Sequence, residues 1–223
     1  MVSSTLTTGF IVQQYPSFDA KHRSGVYYFF DKLDGSNVRA EWSRKRAKKE
    51  PETFGFYKFG KRHGLLDGLT QHLEKAKPLI LEKYAALLCE IFMQKRLTKA
   101  TAFFEFHGPS SNFGWHADEE HTVTLIDVHI YKQGFMDPGD FVDWFQYIDH
   151  APVLHHGYLS EVIERIKDGT LPGMTYEGVV GKGKPGSTGK INMFKVKSEA
   201  WYAELRSRCA SAGDPDAAFR RLS

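Results

Sequence analysis

The sequence contains little cysteine and lacks any long uninterrupted apolar run. Cys89 and Cys209 are its two cysteines in 223 residues, too few for a disulfide framework, so a reducing compartment is favoured. No apolar stretch approaches the ~20 residues that a membrane helix needs. The N-terminal segment also lacks the charged and apolar regions of a signal peptide. We therefore expect a cytoplasmic protein without a membrane partner.

An excess of one charge sign is also missing. The chain has 30 Lys and Arg residues against 27 Asp and Glu residues, a net charge of +3, which does not by itself indicate a nucleic-acid partner. Its length and its hydrophobic content of 41% are ordinary for a globular protein with a sizeable core. No repeat or linker divides the chain, so we expect residues 1–223 to form a single domain.

The predicted secondary structure mixes strands and helices without regular alternation. Strands are predicted at 26–32, 36–43, 53–62, 100–106, 121–131, 177–183 and 191–197, and helices at 70–96, 138–147, 158–168 and 198–210. Between the first two strands, Asp34 and Gly35 indicate a hairpin or a bend. This mixture favours an α+β fold with mainly antiparallel sheets.

Two motifs in the first half of the chain carry groups that could do chemistry. Lys32 opens "KLDG", and a lysine becomes a covalent nucleophile only when burial, a nearby cation or a metal keeps its amine neutral. Glu105 lies between Phe104 and Phe106 in "FFEFHGP". If the phenylalanines point into the core, the carboxylate points to the opposite face, where it could accept hydrogen bonds from a ribose. Taken singly, the two motifs are more typical of a surface turn and of an exposed strand glutamate than of a catalytic site.

Two further motifs lie near the end of the chain. Glu177 opens "EGVVGKG", and carboxylate oxygens are ligands that Mg²⁺ takes. Lys195 and Lys197 are two positions apart on a predicted strand, so both ammonium groups emerge on one face and suit a triphosphate. A strand-end acid and the protective lysines of an edge strand explain the same residues without chemistry.

The order of these four motifs is more specific than any one of them. Together they resemble the covalent nucleotidyltransferases, which are the polynucleotide ligases and mRNA capping enzymes, and especially RNA ligases of the nick-sealing and editing type. The resemblance spans roughly residues 29–198. It implies an ATP-grasp-like nucleotidyltransferase domain of the ligase and capping-enzyme type. It also implies ATP as the nucleotide and Mg²⁺ or Mn²⁺ as the metal.

The resemblance also implies a role for each site residue. Lys32 matches the lysine that attacks the α-phosphorus of ATP and retains AMP, and "FGKRHG" offers a pair, Lys61 and Arg62. The surrounding positive charge would help the lysine amine stay neutral. The implied ribose contact is Glu105, and the implied metal ligand is Glu177. The implied contacts for the rest of the nucleotide and its phosphates are Asp34, Gly35, Arg39, Arg62, Ile126, Lys195 and Lys197. Lys195 and Lys197 would also stabilise the transition state.

The sequence departs from the family pattern in two places. Ile126 precedes Asp127 where the family commonly has an aromatic that stacks on adenine, so the stacking energy of about 1 kcal/mol is lost and base preference stays open. The segment 198–223, after the last lysine motif, is predicted as one helix and a tail. We therefore expect no C-terminal oligonucleotide-binding barrel, and a partner protein could replace it.

A basic segment is the predicted contact for RNA. Its cations could track phosphates from a loop, although a solvated loop explains them equally well; they are Arg44, Lys45, Arg46, Lys48 and Lys49. The spacing of four histidines fits no standard zinc site, so they are predicted in surface loops; they are His116, His121, His155 and His156. A minimal DNA ligase, a guanylyltransferase and an unreactive nucleotide-binding module that acts through partners remain alternatives to an RNA ligase.

Overall fold

The computed structural model describes residues 24–62, 64–66, 71–109, 118–187 and 190–210, together with Tyr15 and Asp216. The strands are Val26–Asp31 (β1), Ser36–Ser43 (β2), Phe56–Lys61 (β3), Gly64–Leu65 (β4), Lys99–His107 (β5), Thr122–Ile130 (β6), Gly134–Phe135 (β7), Val153–Tyr158 (β8), Gly178–Pro185 (β9) and Ile191–Lys197 (β10). The α-helices are Arg44–Ala47 (α1), Gln71–Glu74 (α2), Ala76–Lys83 (α3), Ala85–Gln94 (α4), Pro138–Phe145 (α5), Ile163–Lys167 (α6) and Glu199–Cys209 (α7). Two short 3-10 helices cover Pro51–Thr53 (η1) and Leu159–Glu161 (η2).

The strands form two antiparallel sheets. The four-stranded sheet has the order β10-β9-β1-β8, and the six-stranded sheet has the order β4-β3-β2-β5-β6-β7. Helices flank both sheets, and the predicted α+β class is confirmed.

β1 and β2 follow each other in sequence but belong to different sheets. β1 is paired on both sides, by β8 and β9, and β2 is likewise enclosed between β3 and β5. The sequence allowed a hairpin or a bend at residues 32–35, and the structure shows a bend through which the chain passes from one sheet to the other. The "KLDG" motif therefore lies where the two sheets meet.

The main hydrophobic core lies between the six-stranded sheet and helices α3, α4 and α5. Alternate residues of β2 point into it, so Val38, Ala40 and Trp42 are all fully buried. Trp42 packs edge-on against Phe92 of α4, with 5.2 Å between ring centroids. Each large apolar side chain buried in this way contributes about 1.5–3 kcal/mol. The core thereby fixes β2, the strand that follows the nucleophile motif.

The predicted helix at 70–96 is in fact three short helices. Pro78, in the first turn of α3, has no amide hydrogen to bond the carbonyl of Glu74, so α2 and α3 are separate. Tyr84 leaves helical geometry at φ −122°, and its hydroxyl donates to the carbonyl of Val123 at 2.9 Å. In the described part of the chain, no helix combines the length and apolar content required to cross a bilayer.

Candidate active site

A cavity of about 510 Å³ opens where β1 ends and β2 begins. Five residues predicted from the sequence line it, namely Lys32, Gly35, Arg62, Glu105 and Ile126. The predicted alternation along β5 is present, because Phe104 and Phe106 are buried in the core whereas Glu105 lines the cavity. The structure thus brings together residues that are far apart in sequence.

Lys32 contacts a carboxylate directly. Its backbone N–H donates to the carbonyl of Gly178 at 3.0 Å, which ties the bend to the start of β9. Its Nζ donates to Oε2 of Glu177 at 2.6 Å, and 18% of its side chain is exposed. The candidate nucleophile and the candidate metal ligand are therefore neighbours.

Glu177 joins two lysines. Its second oxygen, Oε1, lies 3.1 Å from Nζ of Lys197, whose side chain is 4% exposed. The same ammonium group lies 3.1 Å from the ring centroid of Trp201 on α7. Gly178 follows with φ +133°, and a Cβ there would lie 2.1 Å from the carbonyl oxygen of Val196. The glycine after Glu177 is therefore required by the close approach of β10.

Gly35 brings the "KLDG" bend against β5. A Cβ at this position would lie 2.4 Å from the carbonyl oxygen of Phe106, a distance that atoms in proteins do not tolerate. The backbone N–H of Gly35 hydrogen-bonds the carboxyl group of Glu105. The glycine of the motif therefore allows the lysine segment to contact the strand that carries Glu105.

The acidic neighbours decide the protonation of Lys32. Burial lowers the pKa of Lys32, but the charges of Glu177 and Glu105 outweigh burial and raise it above the ordinary lysine value. The expectation that Lys32 is held neutral is therefore wrong for the protein without nucleotide. Burial also raises the pKa of Glu105 to about 8, despite the opposing charge of Lys32.

Lys195 and Lys197 add positive charge beside this cluster. Burial lowers the pKa of Lys197 to about 8, against the attraction of Glu177. Burial and the charge of Lys32 lower the pKa of Lys195, and Arg62 contributes in the same direction. These mutual effects show that the lysines of β10 lie in the electrostatic field of Lys32, as their spacing predicted, although neither lines the cavity.

Two predicted nucleotide contacts do not line the cavity. Arg39 is buried in β2, and its guanidinium donates to the carbonyl oxygens of Lys61 and Gly64, which supports the β3–β4 turn. Asp34 is also buried and is absent from the cavity wall. Their predicted contacts with the nucleotide therefore stay predictions.

The sequence did not single out Lys182 and Asp127, which form an ion pair at the cavity wall. Nζ of Lys182 lies 3.0 Å from Oδ2 of Asp127, and the two side chains are 4% and 2% exposed. The ammonium group lies over the rings of Phe30 and Phe141, at 4.5 and 5.4 Å from their centroids. A lone cation on the otherwise apolar strand "EGVVGKG" was the available signal for this pair.

Asp31 is a second residue that the sequence motifs missed. Its Oδ1 accepts a hydrogen bond from the backbone N–H of Thr175 at 3.1 Å. Its Oδ2 is buried and has no hydrogen-bond partner among the described residues, and the residue lines the cavity. Asp31 therefore carries an unpaired buried oxygen next to Lys32 in sequence.

The histidines do not form a metal site in the described residues. His155 and His156 lie on β8 rather than in a loop, where His155 bonds Oε2 of Glu161 at 2.9 Å. His121 stacks on Phe106, and His116 lies outside the described residues. No group of three or more His, Cys, Asp or Glu side chains is arranged for a metal among the described residues.

The basic segment is not the loop that the sequence predicted. Arg44–Ala47 forms helix α1 at the end of β2, whereas the cavity lies at the start of that strand. One ion pair, from Arg46 to Glu50, lies within the segment at 2.7 Å. Its cations are therefore separated from Lys32 by the whole length of β2.

Solved structures, but no family model and no curated sequence, are similar to this chain. No protein-family model matches the chain, and no curated protein matches its sequence. Among solved structures, the Naegleria gruberi RNA ligase with PPi matches at a TM-score of 0.60 and 16% identity, over 93% of this chain and 64% of the ligase chain. A variant of that ligase with ATP and Mn matches at a TM-score of 0.56 and 16% identity, over 79% of this chain and 50% of the other.

A third match, a variant of the same ligase with AMP and Mn, has a TM-score of 0.56 and 13% identity over 80% of this chain. This chain spans 50 to 64% of the length of these ligase chains. The agreement extends over both antiparallel sheets and their flanking helices. The chain therefore has the RNA ligase nucleotidyltransferase fold that the motif resemblance predicted.

Proposed function

We propose that the chain is the nucleotidyltransferase domain of an ATP-dependent RNA ligase, in which Lys32 forms a covalent bond to AMP. The observation that carries this proposal is the 2.6 Å contact between Lys32 Nζ and Glu177 Oε2, beside a cavity that Glu105 and Arg62 also line. The fold supports it, because the matched ligase structures contain ATP or AMP with Mn.

The cavity suits a nucleotide in size and in the distribution of its lining. Its volume of about 510 Å³ falls within the roughly 300–1,000 Å³ typical of ligand pockets. Phe30, Ile126 and Val180 give it an apolar wall for a base, while Lys32 and Arg62 give it cations for phosphates.

The first step joins Lys32 to the α-phosphorus. The amine lone pair forms the N–P bond, the bond from the α-phosphorus to the bridging oxygen breaks, and pyrophosphate leaves. Lys32 must lose a proton for this step, because its raised pKa keeps it charged in the free protein. Glu177 Oε2, already hydrogen-bonded to the ammonium group, is the acceptor in position for that proton.

Glu177 is the carboxylate that would hold a divalent metal, which would have to displace an ammonium group because Lys32 and Lys197 contact its two oxygens. Mg²⁺ in nucleotide enzymes commonly takes one or two protein carboxylates together with substrate phosphate oxygens, and Glu177 with the ATP phosphates meets that need. When bound, Mg²⁺ or Mn²⁺ offsets the phosphate charge. Lys195 and Lys197 supply additional positive charge on the same side of the cluster.

The later steps transfer AMP to RNA and then release it. A 5′-phosphate oxygen of RNA attacks the adenylate phosphorus, the N–P bond breaks, and Lys32 regains a free amine. A 3′-hydroxyl then attacks the RNA 5′-phosphate, sealing the strand and releasing AMP. Because the chain spans about half to two-thirds of the ligase chains it matches, RNA binding by this domain, with or without a partner protein, is part of the proposal.

Covalent labelling tests the proposal. The protein is incubated with Mg²⁺ or Mn²⁺ and ATP radiolabelled at the α-phosphate, then run on a denaturing gel. We expect a labelled band that disappears in Lys32→Ala and persists in the exposed-site control Lys184→Ala. Absence of label with every metal and nucleotide would contradict the proposal and favour an unreactive nucleotide-binding module.

Two further comparisons separate the enzymatic alternatives. Labelling with GTP in preference to ATP would instead indicate a capping-type guanylyltransferase. Sealing of a nicked RNA duplex, measured beside a nicked DNA duplex, distinguishes an RNA ligase from a minimal DNA ligase. Faster sealing of DNA would overturn the RNA assignment while leaving the lysine chemistry intact.

A further inference from the structure

We propose that the end of the six-stranded sheet opposite the cavity is a second binding surface, which holds the phosphate backbone of single-stranded RNA. This distal basic surface consists of residues 44–53, 94–99 and 131–133. It extends the basic segment found in the sequence into a larger and differently placed site. Its role is independent of nucleotide transfer, because it lies away from Lys32.

The strand registers place the three segments side by side. At the cavity end, Ser36 of β2 lies opposite Phe106 of β5, whereas at the other end Ser43 lies opposite Lys99. The N–H of Arg44 donates to the carbonyl of Thr98 at 3.0 Å. Because β2 spans eight residues, about 25 Å separates this surface from the cavity end.

The third segment joins the surface through β6. The N–H of Tyr131 donates to the carbonyl of Lys99 at 3.2 Å, and Ile130 pairs with Ala100. The turn at 131–133 therefore lies directly beside the start of β5. The three segments form one continuous end of the sheet rather than separate charged loops.

Positive charge is concentrated on this surface. It contains nine cations against two acids, Glu50 and Glu52, whereas the whole chain carries 30 cations against 27 acids. The cations are Arg44, Lys45, Arg46, Lys48, Lys49, Lys95, Arg96, Lys99 and Lys132. In the described part of the chain, Arg46 alone of the nine forms an ion pair with a carboxylate. Two guanidinium nitrogens of Arg44, Nε and Nη2, are buried. The other seven unpaired cations are exposed and available for phosphates.

Aromatic rings lie among these cations. Tyr131 is 49% exposed, with Nζ of Lys99 and of Lys132 at 5.4 and 5.6 Å from its ring centroid. Nζ of Lys95 lies 4.4 Å from the ring centroid of Trp144. Exposed rings beside cations allow bases to stack while phosphates are neutralised, the combination by which single strands are bound.

Three non-glycine residues on or beside this surface have left-handed backbone conformation. Among the described residues, the non-glycine positions with positive φ are Phe54, Arg96 and Lys132, at 51°, 57° and 67°. Arg96 and Lys132 belong to this surface, and Phe54 directly follows its first segment. Glycine adopts this left-handed conformation most easily. Each of these positions thus carries a long cation or an exposed ring, although glycine would relieve the backbone strain.

Charge removal tests the surface. A triple variant, Lys95→Gln with Lys99→Gln and Lys132→Gln, is compared with a control that removes equal charge from helices α6 and α7, Arg165→Gln with Lys167→Gln and Arg206→Gln. Fluorescence anisotropy measures the Kd for labelled single-stranded RNA of about 20 nucleotides over a range of salt concentrations. We expect the surface variant to bind about 10- to 100-fold more weakly near 0.1 M salt, with a salt slope reduced by about 2. The control should bind as the wild type does.

The RNA-binding experiment can succeed or fail independently of the ligase proposal. Binding is measured without ATP and in the Lys32→Ala background, so it does not depend on covalent chemistry. Equal Kd values for the surface variant and its control would overturn the inference, even if lysine labelling succeeds. Equal affinity of the wild type for polyglutamate at matched charge and salt would overturn it too, since an acidic protein would then fit as well as RNA.

Lys132 provides a test that a merely structural role would fail. Lys132→Gly removes both the cation and the backbone strain, so we expect the melting temperature to rise by about 2–4 °C while RNA affinity falls about threefold or more. Lys132→Gln should weaken RNA binding similarly without the rise. An unchanged RNA affinity in both variants would remove Lys132 from the proposed surface.

Discussion

Lys32 and Lys182 each contact a buried carboxylate beside the same cavity, yet their environments differ. The charges of Glu177 and Glu105 outweigh burial and raise the pKa of Lys32. Lys182 is more fully enclosed, and burial lowers its pKa despite the nearby charge of Asp127. The number of converging carboxylates and the degree of burial therefore decide the direction of the lysine pKa shift, rather than the presence of an ion pair.

The two lysines also differ in whether a substrate can reach their amines. Lys32 lies on a bend and retains partial exposure, so a substrate can reach its amine. Lys182 is enclosed by the rings of Phe30 and Phe141 and bonded to the carbonyl of Ile126. The first contact is suited to reaction, whereas the second is suited to holding β9 against β6.

The largest expected difference between the two lysines is in stability. Lys182→Met leaves Asp127 buried without its partner, so we expect the free energy of unfolding to fall by about 3–5 kcal/mol. Lys32→Met should cost less than about 1 kcal/mol, because Glu177 keeps Lys197. Urea denaturation measures both. Equal losses would contradict the comparison, and Lys182→Met with Asp127→Leu should recover most of the loss.

Substitution of Glu177 should act on reaction rather than on folding. Glu177→Gln removes the nearest proton acceptor of Lys32, and we expect the initial rate of lysine labelling by ATP to fall about 100-fold. The loss of its charge also lowers the pKa of Lys32, so an amine-directed reagent should modify Lys32 faster at about pH 8. Glu161→Gln, an exposed carboxylate substitution, is the matched control. An unchanged labelling rate would remove Glu177 from the mechanism.

Glu105 should make the free energy of unfolding depend on pH. Its folded pKa of about 8 exceeds the unfolded value of about 4.3, so between these values the folded state keeps a proton that the unfolded state has lost. Stability should therefore fall as pH rises through this window and level off above it. We expect Glu105→Gln to remove most of this decline, measured by urea unfolding at several pH values. A parallel decline in both proteins would contradict the pKa assigned to Glu105.

The smallest expected effect concerns the apolar cavity wall. Ile126→Phe would add aromatic stacking worth about 1 kcal/mol, so we expect ATP to bind about fivefold more tightly. Isothermal titration with Lys32→Ala as background measures binding without reaction. Ile126→Val, which keeps an aliphatic side chain, should stay within about twofold of the parent. Weaker binding in Ile126→Phe would place the base elsewhere.

The pattern of strands and helices predicted the antiparallel α+β fold, whereas the meeting of Lys32, Glu105 and Glu177 was implied by the family resemblance of the ordered motifs. Gly35 and Gly178 are required by close backbone approaches. Such a requirement is visible in the sequence, because it restricts the position to glycine. The pairing of Lys182 with Asp127 joins residues 55 positions apart, and neither lies in a distinctive motif. The raised pKa of Lys32 in the protein without metal or nucleotide was not foreseen, because it depends on how many carboxylates converge, which spacing alone does not specify.

The bend at residues 32–35 is anchored to both layers of the molecule. The amide of Lys32 is bonded to Gly178 in the four-stranded layer, and Gly35 rests against Phe106 in the six-stranded layer. The reactive amine is thus carried by the short connection that sets the spacing between the layers. A ligand that draws the layers together or apart would reposition the amine without touching it.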